Sequence, residues 1–241
     1  MEEVCGKLIT QTFRVINPIK KKIIKTDCEV HLFIQQNAIN VLEEEGYEKQ
    51  AQFYKNFQSY INEGLVWADQ DFKSYFHFYN PQIQKGMYGN STNAMTLVNT
   101  YYKNALYFIN KGDYENGMAY FGALCHIIQD VTIPQHAKRK LFDKHKPFEN
   151  YVKSNYKKIK RFKTKEGPLV YKNISDYVEH NSRSALNFDY MYKNINDYKT
   201  KFYLVAFNAL NLAQRSTAGC MLTFFDDLDM LRKSKINNKN N

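Results

Sequence analysis

The sequence predicts an all-α protein built as a single compact multi-helix domain, and three observations predict it. Apolar residues recur at helical three-to-four spacing along most of the chain. No stretch alternates apolar and polar residues for long enough to read as a strand, and there is neither an internal repeat nor a low-complexity linker. Aromatic residues make up 15% of the 241 positions, enough to build a sizeable core and to argue against disorder.

The elements can be justified in order. Thr26-Asp27-Cys28-Glu29 reads as a capping box opening a helix that runs to about Glu45 and stops at Gly46. On it His31, Ile34, Ala38 and Val41 or Leu42 share one face, which directs His31 inward. A second helix, about Glu48 to Asn62, spaces Phe53, Phe57, Tyr60 and Ile61 as core residues, with Gly64 as its break. Leu65-Val66-Trp67-Ala68 then delivers Asp69, and a loop carries His77 between Phe76 and Phe78. Asn90-Ser91 caps a third helix to about Asn110, and Lys111-Gly112-Asp113 turns into a fourth that bears His126 and Asp130. Pro134 forces the chain out of that helix, leaving His136 on the exit loop. Further helices are expected at Phe148 to Lys160, Ser175 to Asn187 and Lys201 to Leu231. The division that follows is an N-terminal extension, 1–25, a folded body, 26–231, and a disordered tail, 232–241.

The 34 basic and 24 acidic side chains leave a net charge of +10, so the protein should attract phospholipid headgroups, nucleic acid or phosphorylated metabolites. The charge is dense between Lys153 and Lys172, where Lys157, Lys158, Lys160, Arg161, Lys163 and Lys165 form either a plain helix end and surface loop or a face toward an anionic partner. Cys5, Cys28, Cys125 and Cys220 are scattered without a CxxC, which fits buried hydrophobes or free thiols rather than a disulfide framework. No apolar run approaches the roughly 20 residues of a membrane span. The N-terminus starts acidic and builds no apolar core of a signal peptide, so the sequence taken alone points to the cytoplasm.

Five of the six histidines carry the chemistry. His126 and Asp130, at i and i+4, project from one helix face, and His145 and Glu149 repeat that pair at a helix start where Pro147 suits the first turn. One such pair is ordinary on a solvated face. Two pairs with His136 between them, joined by His31, Asp69 and His77 upstream, form a set of imidazoles and carboxylates that suits zinc. His180 lies outside the pattern and reads as a surface histidine.

Several segments in order carry a family resemblance: Glu29-Val-His31-Leu-Phe-Ile with Asn37-Ala-Ile, Trp67-Ala-Asp69, His77-Phe-Tyr-Asn-Pro81, Cys125-His126 through His136-Ala137, His145 to Tyr151, and Ala213-Gln-Arg-Ser-Thr-Ala-Gly219. On these the chain resembles the bacterial zinc-dependent phospholipases C, the all-helical group that includes phosphatidylcholine-preferring phospholipase C and the catalytic domain of clostridial alpha-toxin. The resemblance implies a phospholipase C/P1 nuclease-like fold holding two to three zinc ions. Asp69, His77, His126 and Asp130 would bind one, His136, His145 and Glu149 a second, and His31 with a bridging Asp130 a third.

In that family the third ion is completed by a tryptophan at the processed N-terminus. Here the sole tryptophan is Trp67 and 30 residues precede His31. Either a cut within Asn17 to Lys22 exposes a new terminus, or the third site is weak or absent. The membrane-binding domain that follows the catalytic domain in alpha-toxin has no counterpart in the sequence to Asn241.

Clustered zinc ions polarise phosphoryl oxygens, acidify water and stabilise both ends of an in-line displacement. The implied reaction is hydrolysis of the glycerol-side phosphodiester bond of a phospholipid, giving diacylglycerol and a phosphorylated headgroup. Asp69 is the candidate general base, or else a plain ligand. Tyr75, Phe76 and Tyr79 would offer a cation–π surface to choline, or else pack. The expected partner is phospholipid at a membrane surface, met by a monomer; the family is typically secreted.

A rival is a nuclease of the S1/P1 type, which shares fold and metal arrangement, but those enzymes usually close the last ligand pair with aspartate where this chain has Glu149. Nucleic acid is therefore not favoured as a partner. A further alternative is a non-catalytic zinc- or membrane-binding homologue.

Overall fold

A computed structural model describes residues 28–87, 92–139 and 144–239. Among them nine α-helices account for the regular structure: α1 Glu29–Glu44, α2 Glu48–Asn56, α3 Gln58–Ala68, α4 Ala94–Asn110, α5 Tyr114–Asp130, α6 Pro134–Lys138, α7 His145–Asn155, α8 Ile174–Met191 and α9 Tyr198–Lys239. Short 3-10 turns occupy Asp71–Phe76 and Lys160–Phe162, and the described residues hold no strand beyond an isolated bridge between Asn80 and Lys85. The all-α expectation holds. No described helix is long and apolar enough to cross a membrane.

The architecture is organised around α5. Gly117, Met118 and the whole run from Tyr120 to Asp130 are buried, so beyond its first turn this helix is enclosed on all sides by others. Its approach to α3 is set by two glycines. A Cβ on Gly64 would lie 1.8 Å from the Ala119 carbonyl oxygen, and one on Gly122 would lie 2.0 Å from that of Ile61. Only hydrogen fits at both places, so the backbones meet directly. Gly64 was expected to break its helix; instead it sits inside α3 as a contact surface. The interruption falls earlier, at Phe57, which links α2 to α3 and stacks on Tyr114 at 5.2 Å.

The other boundaries follow local chemistry. Gly46 and Gly112 adopt φ of +81° and +85° and close α1 and α4 as expected. Asp113 caps α5 by accepting from the Asn116 N–H at 3.1 Å. The cap of α4 is Asn93 rather than Asn90-Ser91, which lie outside the described residues. Asn93 and Thr96 exchange hydrogen bonds as a reciprocal box. Of the proposed box at α1, Thr26 and Asp27 lie outside the described residues, and Cys28 makes no side-chain cap bond.

Pro134 does not eject the chain from α5, which already ends at Asp130. It opens α6, with Ile133 held extended ahead of it, so His136 sits on a helix and not on an exit loop. The seventh helix starts at His145 and stops at Asn155, well short of Lys160. The last helix continues past the expected end at Leu231 to Lys239, so the residues from 232 to 239, expected as a disordered tail, are helical. The N-terminal extension, 1–25, lies outside the described residues.

Candidate metal centre

Asp130 ends the buried helix α5, and four histidines, one from the same helix and three from elsewhere, close on it. His77, which follows the 3-10 turn, donates from Nδ1 to Asp130 Oδ2 at 2.7 Å. His31 Nε2, from the first turn of α1, lies 3.4 Å from Oδ1. His126 Nε2 stands 3.2 Å from Oδ2, one turn back on the same helix, and His136 Nδ1 is 3.9 Å away on α6. From there the chain of contacts runs outward. His136 Nε2 meets His145 Nε2 at 3.1 Å, and His145 Nε2 lies 3.1 Å from Glu149 Oε1 one turn along α7.

Asp69, at the C-terminal end of α3, completes a group with His77 and His126, one ligand atom of each lying within 4.8 Å of the others; His31, His126 and Asp130 form a second such group. All eight residues singled out in the sequence are therefore brought together, from five separate helices and the segment between α3 and α4. His180 is exposed and stacks on Tyr171 at 4.4 Å, away from the cluster.

Several ring nitrogens in this cluster make no hydrogen bond of good geometry. They are His77 Nε2 and both ring nitrogens of His126, all buried, the His126 Nε2 having only the 3.2 Å ion-pair contact with Asp130. Leaving such groups unpaired costs on the order of 1–3 kcal/mol each. The two Nε2 atoms of His136 and His145, facing each other at 3.1 Å, cannot both present lone pairs without a proton or cation between them. Unsatisfied, inward-aimed nitrogens beside two or three carboxylates fit zinc, whose preferred donors they are.

The electrostatics agree. Burial would raise the Asp130 carboxyl, but His126 and His136 overcome it and hold the group well below the usual carboxylate range. Burial would lower His126, yet Asp130 beside it raises it instead. Burial, reinforced by His126, pulls His31 down to about 4, and burial pulls His136 down to about 3. Near pH 7 both are neutral imidazoles, the form that binds a metal.

Three surrounding residues escaped the sequence reading. Gln129, buried, accepts from His31 Nδ1 at 2.8 Å and reaches Thr217 Oγ1 at 3.4 Å, which turns His31 Nε2 toward Asp130. An amide directly before Asp130, after the apolar pair Ile127-Ile128, was the available signal. Cys28 donates its thiol to Asp69 Oδ2 at 3.7 Å, and Phe78 stacks on His136 at 4.5 Å. Tyr79 does not offer an open face to a cation: it is buried, and its hydroxyl donates to Glu179 at 3.2 Å. The Tyr75 side chain lies outside the described atoms.

Comparison with known proteins gives the family and the fold. The family model for zinc dependent phospholipase C matches residues 30–209, about three quarters of the chain, and the protein belongs to that family. Among solved structures the chain is similar to the alpha toxin from Clostridium absonum, with a TM-score of 0.71 and 18% identity over 83% of this chain and 64% of that one. It is also similar to the Clostridium perfringens alpha-toxin from an avian strain, with a TM-score of 0.69 and 17% identity over 85% of this chain and 65% of that one. The chain thus spans just under two thirds of each toxin, and the likeness is one of fold. No curated protein matched.

Proposed function

We propose that the protein is a zinc-dependent phospholipase C that cleaves the glycerol-side phosphodiester bond of phospholipids presented at a membrane surface. Diacylglycerol and a phosphorylated headgroup are the products. The observation that carries this reading is the gathering of five histidines with Asp69, Asp130 and Glu149 in one connected cluster, several of its buried imidazole nitrogens making no hydrogen bond. Two to three ions are proposed. Asp69, His77, His126 and Asp130 hold one, His136, His145 and Glu149 another, and His31 with Asp130 a third. Zinc bound there supplies Lewis-acid stabilisation of phosphoryl charge and a lowered pKa for water.

The chain's own residues do the rest. Asp130 is fixed by His77 and stays anionic, so it draws positive charge to the buried end of the site. Glu149 is partly open to solvent, with Lys146 Nζ 3.6 Å away, and marks the mouth where an anionic phosphodiester enters. Asp69 is the proposed proton acceptor. Its Oδ2 is engaged by Cys28, which leaves Oδ1 to take a proton from the attacking water. The net charge of +10 favours arrival of the protein, acting as a monomer, at an anionic surface.

Parallel assays with short-chain phosphatidylcholine micelles and single-stranded DNA test the reading. Lipid hydrolysis with inert DNA supports it. DNA cleavage with intact lipid overturns it in favour of a nuclease, and inertness toward both leaves a non-catalytic zinc protein.

A further inference from the structure

The basic segment between Lys153 and Lys172 takes no part in the histidine cluster, yet it is not a loose surface loop. After α7 the chain turns back along α1, and between them lies a cleft of about 630 Å³. Lys157, Lys160, Lys163 and Lys165 line it on one wall. The loop that bears the last three is held from behind by α9. Gln214, fully buried, donates from Nε2 to the Phe162 carbonyl at 2.6 Å and accepts at Oε1 from the Thr164 N–H at 3.1 Å. Asn211 Nδ2 donates to the Arg161 carbonyl at 3.2 Å. Phe162 and Thr164 are buried anchors, and the lysines between and beside them are exposed.

The opposite wall is one face of α1. Asn40 accepts from Gln36 Nε2 at 3.1 Å through its Oδ1, and its Nδ2 has no partner among the described residues. Val41 and Ile159 give the cleft an apolar patch. Glu44 is the one carboxylate lining the cleft beside four ammonium groups, Glu29 acts on Lys157 from outside it, and none of the four lysines forms an ion pair with a described carboxylate. Like charges gathered on a tethered loop repel one another, and a multivalent anion relieves that repulsion. Asn40 lies nine residues beyond His31, about two and a half helical turns. It therefore faces away from the metal centre, and the occupant of the cleft is not the bond being cleaved.

We infer that this cleft is a second binding site, for a phosphate ester. Ammonium groups and the Asn40 amide hold the phosphate oxygens, while the organic part rests on Val41 and Ile159. The same chemistry is offered by a soluble sugar or glycerol phosphate and by a phospholipid headgroup. The inference stands apart from whether the histidine cluster hydrolyses lipid.

The test uses the zinc-loaded protein and a triple variant, Lys160→Gln, Lys163→Gln and Lys165→Gln. Backbone amide resonances of Asn40 and Thr164 are followed while glycerol 3-phosphate is added, with sodium chloride at matched ionic strength as the control. Sedimentation is measured with vesicles of phosphatidylcholine alone and with added phosphatidylglycerol. Saturable shifts at both amides, weakened at least about tenfold in the variant while zinc content and melting are kept, support the site and a soluble source. Sedimentation with the anionic vesicles that the variant loses supports the site and a lipid source. If chloride reproduces the shifts and the variant sediments as the parent does, or if neither probe binds, the inference is overturned.

Discussion

Gly122→Ala probes the contact on which the site's geometry depends. The added Cβ would stand 2.0 Å from the Ile61 carbonyl oxygen, and an ordinary contact begins near 3.4 Å, so α3 and α5 must part by about 1.4 Å. The obstructing atoms are backbone and cannot rotate away, which puts the penalty at the upper end of overpacking costs, about 3 kcal/mol. Alanine returns about 1 kcal/mol of helix propensity, so the net loss is about 2 kcal/mol. For a chain of this size that lowers Tm by about 4–8 °C. Because His126 lies one turn after Gly122 on the same face, zinc content should fall as well. Thermal melts by circular dichroism and metal analysis of the purified variant measure both. A variant that melts within about 1 °C of the parent, or above it, would refute the direct backbone contact.

Asp130→Asn should remove zinc and activity together, because the carboxylate faces four imidazoles; His180→Ala is the control and should change neither. Full metal content in Asp130→Asn would refute its central place. Gln129→Leu removes the acceptor for His31 Nδ1 and should weaken the ion nearest His31 by about 10–100-fold, read by competition with a chelating dye. Unchanged affinity would make Gln129 a packing residue.

In the zinc-free protein His31 and His136 sit at about 4 and about 3, below the 6.5 of free histidine. Their folded forms resist protonation while the unfolded chain accepts it. Stability is therefore full above about pH 6.5 and falls as the pH drops toward about 4, with the raised His126 opposing in part. A zinc-free melting temperature that is flat or rising on acidification over that range would contradict this. Chelation at neutral pH should itself lower Tm, since an ion bound only to the folded state stabilises it.

What was legible in the sequence is what local chemistry fixes. Gly46, Gly112 and Asp113 mark the ends they were expected to mark, because positive φ and side-chain capping are local demands. The His126–Asp130 and His145–Glu149 pairs were readable from helical spacing alone. Gly64 was not, because a glycine that breaks a helix and one that admits a neighbouring backbone look alike until the partner, Ala119, is known. Pro134 was ambiguous for a similar reason: it ends one helix or begins another, and α5 had already stopped. Asn93 was overlooked as a cap because its reciprocal partner is Thr96 rather than the acidic residue usually sought. The roles of Gln129 and Cys28 depend on contacts 98 and 41 residues away in sequence, which no local pattern encodes.

Zinc titration of the metal-depleted protein, followed by bound metal and by release of diacylglycerol from short-chain phosphatidylcholine in the same samples, tests the central claim most directly. The account predicts no diacylglycerol without zinc, activity that rises as ions load and levels off at two to three per chain, and none at any zinc level in Asp130→Asn. Diacylglycerol release at full rate from metal-free protein, or from Asp130→Asn, would contradict it.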